Sequence, residues 1–473
     1  MSFAPRRRLH GMTPTTDTKR WAALYVLCTG MLMIVLDATI VNVALPSIQD
    51  DLGFSQSNLA WVVNAYLIAF GGLLLLAGRA GDLLGQRRVF LSGLTLFTAA
   101  SILCAVSVSQ EMLVVSRFVQ GVGGALTSAV ILGMIVTMFP EPREQAKALG
   151  VYGFVASAGG SIGLLAGGVL TDAINWHWIF LINAPIGVLT GVLALRLIAP
   201  RPGIGVAGGT DVPGAGLLTA GVMLGVYAIL DRGLALGAVA AVLVAAFLVR
   251  QARVATPLMP LRLFRSRDVS GTNVVMALLV VGMFGSFFMG ALYLQRVLGY
   301  SPLDVGLAFL PATLVMGVVS LRLSARFAPR RILVPALLVT TAGLLLYVRM
   351  PVGGDYAVDV LPAMLLTGLG MGLAMPAMMT LAMSGVAMED TGLASGLVNT
   401  TVQVGGAIGL AVLATLASGR TGASQAPEAL LSGYHVAFAV GAGAMGLATL
   451  LALWLTSAAV VLRVRDVLQP ERV

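Results

Sequence analysis

Charge is scarce in this chain. Only 10% of its 473 residues are Asp, Glu, Lys or Arg, against roughly 25% in soluble domains. Lysine is almost missing: Lys19 follows Thr18, Lys147 follows Ala146, and there is no third. A phosphate-cradling P-loop needs Gly-Lys-Ser/Thr, so no Walker motif exists and drive by that nucleotide chemistry is excluded. Cysteine is equally sparse. Cys28 and Cys104 both fall inside apolar runs, near opposite ends, which leaves two buried, inert thiols rather than a disulfide framework. His10, His177 and His435 are scattered without metal-ligand spacing. No catalytic grouping of Ser, His, Cys or paired acids stands out, so neither a metal site nor an enzyme is expected. No polar stretch is long enough to fold alone.

Apolar residues are abundant, at 58% of the chain. They fall into fourteen runs, each of about 20 residues, the length that spans the ~30 Å hydrocarbon core of a bilayer as a helix. The predicted spans are 21–45, 58–78, 88–108, 112–138, 147–171, 176–197, 214–231, 235–251, 270–294, 303–323, 331–349, 360–384, 393–418 and 434–460. The first is too long for the 7–15-residue core of a signal peptide, and reads as a retained span. The fold class is therefore an all-α polytopic membrane protein of 14 transmembrane helices.

A net charge of +9 could suggest nucleic acid, but the bases sit in short connections between spans. Arg79/Arg87/Arg88, Arg143/Lys147, Arg196/Arg201, the 250–267 group, the 322–331 group and Arg463/Arg465 fall on one side. Asp50/Asp51, Glu111, Asp172, Asp231/Arg232, Arg296/Asp304, Arg349/Asp355/Asp359 and Arg420/Glu428 fall on the other. The positive-inside rule puts the first set and both termini in the cytoplasm. The loop 385–392 breaks the pattern with Glu389 and Asp390, and acids weigh little in that rule.

The chain repeats itself. Arg79-Ala-Gly-Asp82-Leu-Leu-Gly85-Gln-Arg87-Arg88 after span 2 aligns with Arg322 through Arg330-Arg331 after span 10, with Ala325 where the first copy has Asp82. Gly121-Val-Gly123 resembles Gly368-Leu-Gly370. Gly159-Gly160 and Gly163 resemble Gly405-Gly406 and Gly409. The shift is eight spans. An even shift means parallel copies about an axis along the membrane normal, as in transporters of two six-helix halves. Spans 7 and 8 are then an insertion. The expected organisation is a cytoplasmic tail (1–20), an N-terminal six-helix bundle (21–200), two inserted helices with linkers (201–267), a C-terminal six-helix bundle (268–460) and a cytoplasmic tail (461–473), with pseudo-twofold symmetry between the bundles.

Asp37 stands out among the charges. A carboxylate at a helix centre costs about 2.5–3.5 kcal/mol on insertion scales and is by default functional. It lies about 12 Å from the outer end of span 1, and Arg117 lies roughly 8 Å into span 4, so the two are at similar depth. If their helices are neighbours, they can pair permanently or form a proton-dependent switch. Asn42, about 140° away around the helix, is expected to bond a neighbouring helix instead. Gly159, Gly163, Gly167 and Gly168 on span 5 recur at three- and four-residue steps, a smooth face for close packing or for sliding between halves. Phe284 and Phe288 on span 9, with Met371 and Met375 on span 12, form helical stripes that serve either as core or as a lining for apolar ligands. Gln120 and Gln403 complete the candidate lining. The middle of the C-terminal half carries no acid, which favours neutral, monocationic or amphipathic ligands over dications.

Several segments resemble the fourteen-helix drug:proton antiporters of the major facilitator superfamily. They are Leu36-Asp37-Ala-Thr-Ile-Val-Asn42-Val-Ala-Leu-Pro46, Gly78 to Arg88, Arg117-Phe-Val-Gln120-Gly121-Val-Gly123, Trp176 to Gly187, Tyr293 to Pro302 and Gly392 to Asn399. The resemblance implies proton-coupled efflux of small hydrophobic or amphipathic compounds by alternating access. The proton gradient would supply the energy, with no cofactor. The setting implied is a bacterial inner membrane, with small molecules, protons and the bilayer as partners and no nucleic acid; a monomer is expected. It places proton coupling on Asp37 and Arg117. It also makes the loop of Gly78, Asp82, Gly85, Arg87 and Arg88 a conformational latch, with Asp82 binding the positive start of span 13. The chain departs from the family pattern at Leu164 (usually Pro after Gly163), Leu83, His177 and Val402. Leu164 keeps lipid or metabolite transport, or import by symport, open as alternatives; a non-transporting receptor is a further one.

Overall fold

The structure, a computed structural model, describes residues 14–203, 211–231, 233–322, 326–384, 391–422 and 424–468. Ala325, Glu389 and Asp390, singled out above, lie outside the described residues. Fourteen helices among those described are long and apolar enough to cross a membrane, one for each predicted run. In chain order they are α1 (Pro14–Leu52), α2 (Trp61–Leu84), α3 (Gln86–Ala105), α4 (Gln110–Met138) and α5 (Pro142–Ala173). The sixth span is broken into α6 (His177–Leu181) and α7 (Asn183–Leu197), and the inserted pair is α8 (Val212–Asp231) and α9 (Leu234–Arg253). Then come α10 (Arg267–Leu292), α11 (Pro302–Arg322), α12 (Pro329–Tyr347), α13 (Leu361–Met383), α14 (Thr391–Thr421) and α15 (Pro427–Leu468).

The ends differ from expectation where polar residues continue a helix beyond its apolar run. Helix α1 starts inside the expected tail and runs through Pro46 to Leu52 rather than stopping at 45. A proline is tolerated there because neighbouring helices re-satisfy the freed backbone groups. Helix α15 likewise starts at Pro427, ahead of the predicted 434, and its backbone continues to Leu468.

Packing obeys the repeat. Helix α1 packs on α5 as α10 packs on α14; α2 on α4 as α11 on α13; α3 on α4 as α12 on α13; and α1 and α3 on α7 as α10 and α12 on α15. The two main seams between the halves, α2 with α14 and α5 with α11, exchange under the same shift. This is the contact pattern of a pseudo-twofold axis. Glycines mark it residue by residue. A Cβ on Gly121 would meet Tyr66 and Ala69, and one on Gly368 would meet Ala312, the counterpart of Ala69. A Cβ on Gly123 would meet Gly93 and Phe97, and one on Gly370 would meet Ala336 and Thr340, their counterparts.

The inserted pair breaks the symmetry. Helices α8 and α9 pack on each other, and α8 leans on α2 and α14, covering one seam. A Cβ on Gly72 of α2 would meet Thr219 of α8, and Thr415 of α14 donates to the Ile229 carbonyl at 3.2 Å.

Candidate transport site

The buried acid and base do meet. Asp37 on α1 and Arg117 on α4 are both fully shielded, and Arg117 Nη1 donates to Asp37 Oδ2 at 2.5 Å. Gln120 Nε2 donates to Asp37 Oδ1 at 2.7 Å, and so does Asn183 Nδ2 at 2.9 Å. The carboxylate thus accepts from three donors on α4 and α7. Arg117 is itself satisfied: Nε donates to the Val62 carbonyl at 2.9 Å and Nη1 to Gln120 Oε1 at 2.6 Å. Its guanidinium lies 4.5 Å from the Tyr66 ring centroid and 5.6 Å from that of Phe180, a geometry the ring quadrupole favours. Gln120 also donates to Ser101 Oγ on α3 at 2.7 Å. Arg117 and Gln120 share a helix face because they are three residues apart. Six helices of the first half, α1, α2, α3, α4, α6 and α7, therefore converge on one charge pair.

Beside this cluster lies a cavity of about 1690 Å³ between the halves. Ala38 and Tyr66 line it, while Asp37 and Arg117 are not among its lining residues. The ion pair stands one layer behind the wall, with Tyr66 between. The wall from the first half offers Thr39, Asn42 and Phe70; the wall from the second offers Met283, Phe284, Phe287, Met316, Met375 and Gln403. The cavity runs to the end of the bundle that carries the basic loops, where Arg79, Asp82 and Arg262 line it.

The opposite end is sealed. Past α10, a π-helical turn at Tyr293–Val297 swings two polar side chains onto α1. Gln295 Nε2 donates to the Val43 carbonyl at 2.8 Å. Arg296 donates to the Pro46 carbonyl at 3.1 Å and to Gln49 Oε1 at 3.3 Å, and pairs with Asp50. Gly168 packs on Pro302 and Leu303, and Gly306 on Leu164, with no room for a Cβ at either glycine. Among the described residues, the arrangement is open at the basic end and closed at the other.

Not every candidate residue is at the cavity. Phe284, Met375 and Gln403 line it. Gln120 does not; it belongs to the charge cluster. Phe288, one turn further along α10, is buried in the core, and Met371 lines only a narrow crevice of about 20 Å³. Asn42 bonds the Ala38 and Thr39 carbonyls of its own helix, at 3.3 and 3.2 Å, rather than a neighbour. The glycine stripe of α5 also has a different partner from the one a sliding face requires. Gly159, Gly163 and Gly167 lie against Leu32, Leu36, Thr39 and Ile40 of α1, inside the same half, and Gly168 alone of the four meets the other half.

In the loop after α2, Gly85 has φ +98°, the left-handed geometry that favours glycine. Asp82 is half exposed and sits 4.0 Å from Arg79. Arg87 donates to the Leu195 carbonyl at 2.6 Å, tying the loop to the end of α7. Gly78 faces the cavity. The side chains that open α14, residues 391–393, are outside the described residues. Sequence reasoning missed Asn183, Tyr66 and Ser101 as members of the charge cluster, and Gln295 and Arg296 as the far-end seal.

Comparison with known proteins settles the family. Residues 27–410 match the Major Facilitator Superfamily. The chain belongs to that superfamily. Among similar proteins, the puromycin resistance protein pur8 of Streptomyces alboniger is 40% identical over 83% of this chain and 80% of its own length. The cephamycin export protein CmcT of Amycolatopsis lactamdurans is 39% identical over 84% and 85%. In fold, the chain resembles an inward-facing bacterial homologue of the lysosomal transporter Spinster, with a TM-score of 0.66 at 15% identity, covering 94% of this chain and 98% of that one. A proton-dependent oligopeptide transporter gives 0.69 at 15% identity, over 92% and 98%.

Proposed function

We propose that this protein exports small hydrophobic or amphipathic compounds, antibiotics among them, in exchange for protons, by alternating access. The observation that carries the reading is the Asp37 carboxylate, held by three donors directly behind the wall of a cavity open at one end. The printed functions of its similar proteins, puromycin resistance and cephamycin export, agree with it.

Protonating Asp37 cancels the charge that Arg117 faces. A buried ion pair that loses one partner is destabilised by about 3–5 kcal/mol, so α1 and α4 re-pack. Helix α1 is also what Gln295 and Arg296 grip at the far end, so a shift in α1 reaches the seal. A proton moving down 100 mV is worth about 2.3 kcal/mol, comparable with that change. The proton binds from the outer side, when the far end is open; its loss to the cytoplasm restores the pair and the present, open-mouthed state, so proton and substrate cross in opposite directions. The cavity's charges lie at its mouth, so the bound compound is neutral, monocationic or amphipathic.

By the positive-inside rule we assign the open end and both termini to the cytoplasmic side of a bacterial inner membrane. We assign 21–200 and 268–460 as the moving halves of a monomer, 201–267 as the insert, and 1–20 and 461–473 as tails. Asp82, on the turn made by Gly85, acts as a latch by closing on the start of α14 in the outward-open state, with Gly78, Arg87 and Arg88 fixing the loop. Gly168 is the sliding contact between halves.

Inverted vesicles with an imposed pH gradient, challenged with puromycin and a panel of lipophilic compounds, test this. Addition of substrate releases protons in the wild type, and Asp37→Asn abolishes the release by at least about 10²-fold. Release that persists unchanged in Asp37→Asn removes the mechanism. A wild type that answers no compound removes the function.

A further inference from the structure

The inserted helices end in a polar knot. Asp211, at the start of α8, is buried with no exposed side-chain surface. It accepts from Arg250 Nε at 2.5 Å, from Gln251 Nε2 at 2.6 Å and from the Gly214 N–H at 3.0 Å. Gln251 in turn accepts from the Met259 N–H at 3.0 Å. The knot thereby folds the chain after α9 back on itself at a fixed point.

What it holds in place is the wall of the cavity mouth. Thr256, Pro257, Leu258, Leu261 and Arg262 all line the cavity, and so do Asp211 and Gln251. The far end of this segment is pinned as well: Met259 and Leu263 pack with Val269 of α10 and Leu397 of α14. The linker on the other side of the insert is equally engaged. A Cβ on Gly203 would sit 2.1 Å from the Leu83 carbonyl, and one on Gly85 would sit 2.6 Å from the Arg201 carbonyl. The insert therefore touches the loop after α2 with one linker and walls the cavity with the other.

We propose that the segment 254–262 is a substrate-contacting, specificity-determining part of this exporter, and that Asp211, Arg250 and Gln251 are its positioning residues. Its apolar face takes the hydrophobic body of an amphipathic compound entering from the cytoplasm. This rests on the export reading and goes beyond it, since the two repeated halves alone would otherwise supply the whole site.

Two cysteine variants test the contact. Both native thiols are buried, so a membrane-impermeant maleimide reports only an added one. Thr256→Cys is exposed and lines the cavity, whereas Arg253→Cys, three residues earlier, is exposed and does not. In inverted vesicles, saturating puromycin protects Cys at 256 and leaves Cys at 253 labelled at its usual rate. Asp211→Asn tests the positioning. It raises KM for bulky members of the compound panel by about 2–30-fold, the range of indirect coupling effects, with kcat little changed, and it removes the protection at 256. A structural defect alone would lower transport of every compound alike. Should Asp211→Asn fold poorly, Leu261→Ala, which leaves the knot intact, still re-orders the panel. Equal labelling at 256 with and without puromycin, in protein that transports puromycin, overturns this inference alone. A wild type that takes up no compound overturns the export reading and this inference together.

Discussion

The two halves share a backbone plan and differ in chemistry. Aligned on their glycines, Arg117 of the first half corresponds to Met364 of the second, and Gln120 to Thr367. Aligned on the loop after α2, Tyr66 corresponds to Phe309. Arg117 lies over the Tyr66 ring and holds Asp37; Phe309 instead stacks on Phe287 at 5.4 Å between centroids. Gln120 bridges three helices, whereas Thr367 bonds back to Ala363 and Met364 of its own helix. One half carries a charge lock; the other offers Met and Phe. On the function proposed above, the duplicated scaffold separates the two tasks of an exchanger: one copy would exchange the proton, and the other would supply a pliable surface for varied ligands.

The sharpest way to break this comparison is to give the first half the second half's chemistry. Arg117→Met leaves Asp37 buried without its cation, and we expect a loss of about 3–5 kcal/mol in folded stability, read as a lowered unfolding temperature in detergent. Adding Asp37→Asn removes the stranded charge and restores most of that stability, with substrate-driven proton release still absent. A double variant that still exchanges protons would show that the lock is not the motor.

A smaller effect sharpens the shared part. Gly123→Ala would place a Cβ 2.4 Å from the Phe97 backbone nitrogen, and Gly370→Ala one 2.1 Å from Thr340 Oγ1. Each should cost about 1–3 kcal/mol by overpacking, and the two costs should be similar. If only one variant is destabilised in thermal unfolding, the scaffold is less symmetric than its contacts.

Much of this was legible in the sequence, for identifiable reasons. Apolar runs of bilayer length announce spans regardless of tertiary detail, and all fourteen are helices. Asp37 and Arg117 are conspicuous because charge inside such a run has few bland explanations. Asn183 and Tyr66 are not, because an amide or a phenol near a helix end is common; only the meeting of α1, α2, α4 and α7 gives them a role. Arg296 reads as an ordinary loop base until a π-turn brings it onto α1. Periodicity showed that Gly159, Gly163 and Gly167 form a smooth face, but not that α1 occupies it. It also could not tell that Phe284 faces a cavity while Phe288, one turn on, is packed in the core.

The insert is a third region, with an ion pair of another kind from the one inside the first half. Asp211 lies just outside the membrane span of α8. Burial pushes its carboxyl up, but the bonds from Arg250, Gln251 and the Gly214 N–H outweigh that, and the carboxyl sits below its ordinary range. An unfolded Asp titrates near pH 3.9. A folded value below that means the fold holds the charged form. Its contribution is full above about pH 4 and is lost as pH falls through the folded value. Arg250 stays 38% exposed, so screening limits the effect to about 1 kcal/mol, the smallest expected here. Asp211→Asn should therefore unfold at a lower temperature than the wild type at pH 7, and the gap should narrow steadily towards pH 3. A gap of constant width over that range would mean that shape, not charge, holds the knot.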